Sequence, residues 1–175
     1  MDKLLNTKYI LSQFLNWYGD SYGDFESNDL SILKTLKLIF LLSTINTDKE
    51  KENLLDFDFK YTAMPFGPVE KDIYSWYKNG DLSDIINKQG INYINLLKNK
   101  FEGIDPDFRK VVDMNMLLLK SENYYLVTKS ASYLVDLTHE FNSWKTNYQQ
   151  ALSLGRYSQD IPSADIKEDH FFYSF

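Results

Sequence analysis

The residues of this chain best placed to do chemistry together are Asp136, Thr138, His139 and Glu140. Asp136 and His139 stand three apart on an expected helix, a spacing that lets their side chains meet. An imidazole oriented by a carboxylate is a common way to build a general base. A base also needs something to activate. The chain has no cysteine and shows no Gly-x-Ser-x-Gly elbow, so no nucleophile is identified. We therefore read His139 as structural or interfacial and assign no catalytic residue.

Other chemistries are narrowed the same way. Without cysteine there are no disulfides and no zinc-thiolate sites. His139 and His170 are the only histidines, too few for a three-histidine metal site within one chain, and we expect neither metal nor cofactor. No Gly/Lys spacing forms a phosphate loop. Gly19 to Asp24 lacks the alternating oxygen ligands of a calcium loop. The net charge of −6 and pI near 4.9 disfavour a nucleic-acid partner. The same acidity favours solubility and attracts a basic partner. The apolar stretch from Leu36 to Ile45 is too short to span a bilayer, and the N-terminus lacks the unbroken apolar run of a signal peptide. The expected location is the cytoplasm, with no membrane partner.

The elements that would carry these residues are mostly helices. Helical periodicity predicts one over 4–18, stopped by Gly19 and Gly23. A second, apolar nearly all round, spans 29–45 with Ser27 or Asn28 as its cap. Alternation of Phe57, Phe59 and Tyr61 with polar residues predicts a strand over 57–62. Pro68 fits the first position of a helix that closes at Asn79-Gly80. Shorter helices are expected at 82–87 and 91–102. Asp105-Pro106 starts another that runs to Leu119, with Met114 facing inward. A second short strand is expected at 124–127. Of the further helices, one is capped by Thr128, one runs over 144–154, and the last is capped by Ser163 and ends in the aromatic string His170–Phe175. The fold class is mainly α: a compact helical domain with a small β element.

Two segments carry a resemblance. The first is Leu36-Lys37-Leu38-Ile39-Phe40-Leu41-Leu42, followed about 30 residues on by Phe66-Gly67-Pro68-Val69 and then Ile73-Tyr74. The second is Leu134-Val135-Asp136-Leu137-Thr138-His139-Glu140, with Trp144 shortly after. In this order they resemble the Panacea domain, the SocA-like antitoxin family. Residues 29–175 carry the match, and residues 1–28 form an N-terminal helical extension. The resemblance implies a bacterial or phage protein that binds and neutralises a cognate toxin, or delivers it to a protease. The family's recurrent positions fall here on Gly67, Pro68, Val69, His139 and Trp144. With Phe66 and Tyr74 they form the candidate interface. Two other readings stand beside this one: a phage or mobile-element protein that binds a host defence component or a nucleotide signal, and a His139-dependent hydrolase. Homo-oligomerisation is left open.

Overall fold

A computed structural model describes residues 2–47 and 52–169. It is mostly helical, with one small antiparallel sheet. The helices are α1 (Lys3–Tyr22), α2 (Ile32–Thr44), α3 (Lys71–Asn79), α4 (Tyr93–Leu97), α5 (Pro106–Glu122), α6 (Ala131–His139), α7 (Asn142–Ser153) and α8 (Ser163–Glu168). The strands are β1 (Tyr61–Met64), β2 (Gly67–Glu70) and β3 (Gln159–Ile161), in the order β2-β1-β3. Among the described residues no helix is long and apolar enough to cross a membrane.

Helix α2 is the axis of the core. Ser31 caps it by accepting from the Lys34 amide, which satisfies one of the donors every helix start leaves orphaned. Leu38 through Leu42 have no solvent exposure, as the all-round apolar pattern requires. Around it pack α6, α5 and the β1–β2 hairpin. Helix α1 belongs to the same apolar cluster: Ile10, Phe14 and Trp17 are fully buried.

Several expectations change. Gly19 does not stop α1; the helix runs through it to Gly23, whose φ of 78° makes the left-handed cap. Gly19 instead leaves room for the Phe25 ring, which would sit 3.0 Å from an added Cβ. Asn28 is not a helix cap, because its amide pairs with both backbone groups of Ile91.

The strand expected at 57–62 occupies 61–64. Asn53 and Asp56 form a capping box that folds Leu54–Phe57 into a 3-10 turn first. The alternation holds in part: Phe59 and Tyr61 are buried while Asp58 and Lys60 are exposed, but Phe57 is half-buried and Thr62 is buried too. Pro68 does not begin a helix. It lies in edge strand β2, opposite Ala63, where a residue without an N–H is tolerated. Glu70 takes over as the cap of α3, accepting from the Ile73 amide.

The strand expected at 124–127 is absent; a 3-10 turn covers Leu126–Thr128. The third strand is Gln159–Ile161, paired with β1. No helix forms at 82–87, where turns lead to a bridge between Ile86 and Ile91. The helix expected over 91–102 shrinks to α4, capped by Asn92. Ser130, not Thr128, caps α6, and α7 starts two residues early because the break falls at Glu140-Phe141. Helix α5 starts at Pro106 as expected, yet Met114 points out and is about half exposed. Ser163 is the first residue of α8 rather than its cap. The aromatic string His170–Phe175 lies outside the described residues.

Candidate functional site

The turn Met64-Pro65-Phe66-Gly67-Pro68 joins β1 to β2 and sits where α2, α6 and α7 converge. Two of those helices send a side-chain donor to a backbone carbonyl of this turn. Lys37 of α2 donates from Nζ to the Pro68 carbonyl at 2.8 Å. Trp144, in the first turn of α7, donates from Nε1 to the Met64 carbonyl at 3.0 Å. His139, at the end of α6, lies against the Pro65 backbone. Two helices thus fix two carbonyls within five residues of chain, and a third packs beside them.

The clamp is tight. Gly67 has φ of 89°, a conformation that favours glycine. A Cβ on Gly67 would lie 2.7 Å from Thr138 Oγ1 and 3.2 Å from Lys37 Nζ. The His139 ring stacks on Trp144 with centroids 3.8 Å apart and planes 10° apart, and Tyr148 also stacks on the indole.

Its electrostatics follow from burial. Lys37 has no solvent exposure, and desolvation alone pushes its ammonium down to about 7. His139 is held below its usual value, first by burial and then by the charge of Lys37, while Asp136 and Glu140 pull the other way. No hydrogen bond joins Asp136 to His139 among the described residues. His139 Nε2 is enclosed and has no hydrogen-bond partner. The His139 residue as a whole remains partly exposed. Among the described residues no group of three or more acidic or histidine side chains is placed to hold a metal.

Only the outer side of the turn is open. Phe66 is 64% exposed at the hairpin tip, and Tyr157, just after α7, is 68% exposed. Together with Leu33, Leu36, Val69 and Tyr74 they line an apolar groove of about 130 Å³. The predicted interface residues therefore divide. Phe66, Val69 and Tyr74 line the groove, whereas Gly67, Pro68, His139 and Trp144 form the clamp beneath it. Sequence reasoning missed Lys37 as a site residue, although a lysine directly before the apolar run Leu38–Leu42 is a readable signal. It also missed Tyr157, which no local pattern marks.

Comparison with protein-family models, with curated proteins and with solved structures finds no match to this chain.

Proposed function

We propose that this chain is a non-catalytic, cytoplasmic protein-binding module, antitoxin-like in the manner of the Panacea domain, that neutralises a cognate toxin by direct contact. The observation that carries the reading is the presentation of Phe66. It stands out of a turn whose carbonyls are held from two helices, beside Tyr157 and over an apolar groove. A rigid exposed aromatic makes a strong interface anchor, because little conformational entropy is lost when a partner covers it. The net charge of −6 favours a basic partner. Of the recurrent positions behind the Panacea resemblance, Gly67, Pro68, His139 and Trp144 belong to the clamp and Val69 to the groove. That gives the shared pattern a physical reason on this reading: it builds the platform, and the exposed residues choose the partner.

Co-expression with the product of the neighbouring reading frame tests the proposal. Relief of growth arrest, together with a stable complex of the two purified proteins, is the expected result. Growth arrest that persists with no complex would overturn it.

A further inference from the structure

Where the end of α2 meets the middle of α5 lies a hollow that the hairpin site does not use. Among the described residues it is lined by Asn46, just after α2, by Glu52, and by Lys110, Val111, Met114 and Asn115 of α5. Its volume is about 270 Å³. The four α5 residues are three and four apart in pairs, so they share one side of the helix. None of the six lines the groove beside Phe66.

The most buried of them is Asn115, which has no solvent exposure. Its Nδ2 donates to the Leu42 carbonyl at 2.9 Å. A carbonyl can only accept, so the amide orientation is fixed and the atom left over is the acceptor. Asn115 Oδ1 is buried and has no hydrogen-bond partner. Leaving a buried acceptor unmade is costly, and what satisfies it is a donor.

The rim carries opposite charges. Glu52 and Lys110 are both exposed. They line one hollow, yet among the described residues neither makes an ion pair or a side-chain hydrogen bond, with the other or with any third group. Val111 and Met114 supply the apolar surface beside them, and Met114, about half exposed, can adapt its shape to a guest.

We propose that this hollow is a binding site for a free α-amino acid with an apolar side chain of about leucine or methionine size. The ammonium lies between the Glu52 carboxylate and Asn115 Oδ1. The carboxylate lies against Lys110 and the Asn46 side-chain amide, and the side chain rests on Val111 and Met114. A zwitterion fits this lining because it answers both rim charges and brings a donor to the orphaned acceptor. A plain amine leaves Lys110 unanswered, and a plain carboxylate leaves Glu52 and Asn115 unanswered. The volume falls just under the range of pockets for drug-sized ligands, so the guest is a small one. The site stands independently of the reading under Proposed function.

The test is titration calorimetry of the full chain, with no protein partner present, against L-leucine and L-methionine. Leucinamide and 4-methylpentanoate serve as analogues that lack the carboxylate and the amine. A parallel NMR titration follows the Val111, Met114 and Asn115 amides, with the Phe66 amide as reference. The expected result is one site per chain, movement of the three α5 signals with Phe66 still, and about tenfold weaker binding of each analogue. Glu52→Gln and Lys110→Met, both at exposed positions, should each weaken binding by about tenfold and leave the unfolding midpoint unchanged. The proposal is overturned if neither amino acid binds at millimolar concentration, if the analogues bind as tightly as leucine, if the signals that move lie elsewhere, or if both variants bind as wild type. Since no partner takes part, failure here leaves the binding reading of the hairpin untouched.

Discussion

Gly67 sits where three constraints meet: a positive φ, the Thr138 hydroxyl and the Lys37 amine. Gly67→Ala should therefore cost about 3 kcal/mol of stability, from backbone strain plus overpacking. Urea denaturation checks this, and a loss under about 1 kcal/mol would show that the turn yields. Lys37 gives a prediction with a definite sign. Its value in the folded chain is about 7 against an ordinary 10.5, so between those limits the unfolded chain binds more protons. Stability should then rise with pH above about 7, at up to ~1.4 kcal/mol per pH unit. The contribution is complete only above 10.5 and is wholly lost below about 7. Denaturation curves taken between roughly pH 7.5 and 9 stay clear of the tyrosines, which ordinarily ionise near 10. Lys37→Met should flatten this rise, whereas parallel curves for wild type and variant would contradict the placement of Lys37.

Among the elements, the junction of β2 with α3 ties the N-terminal helix to the site. Glu70 is fully buried, caps α3, and accepts from Lys3 of α1 at 2.8 Å. Lys3 also reaches the Asp58 carbonyl and the carboxylate of Asp72. Glu70→Ala leaves a mostly buried ammonium with less compensation and removes a cap. The expected loss is about 3 kcal/mol, read as a lower midpoint in thermal or urea unfolding; an unchanged midpoint would mean α1 is held by its apolar face alone. This junction was not legible in the sequence, because the partners Lys3 and Glu70 lie far apart in the chain. What was legible had strong local chemistry: Asp105-Pro106 starting α5, Gly80 closing α3, and the all-apolar run of α2. What failed depended on competition between neighbouring signals. Pro68 suits a helix start, but the edge-strand position claims it. Tyr124 to Val127 has strand-like residues, but a 3-10 turn forms at Leu126–Thr128. Strand β3 is three residues long and mostly polar, and it exists through its pairing with β1.

Across the whole molecule, the sequence carried the mainly helical class, because period and capping are local properties. The division of the candidate site into clamp and groove was not readable, since which side of a turn faces water depends on three helices packing behind it. Two larger hollows lie along α5, around Met114 and the exposed Leu117. Leu117 is as exposed as Phe66, at 64%, but no clamp holds it, so it serves as a control of equal apolarity. The measurement that bears most directly on the account is the affinity of the chain for the neighbouring frame's product, by titration calorimetry, for wild type, Phe66→Ala and Leu117→Ala. Both variants should keep wild-type stability within about 0.5 kcal/mol, as exposed positions do. Phe66→Ala should weaken binding by roughly thirtyfold, about 2 kcal/mol, while Leu117→Ala binds as wild type. Binding by Phe66→Ala at wild-type strength, or a loss confined to Leu117→Ala, would contradict the assignment of the hairpin groove as the contact surface.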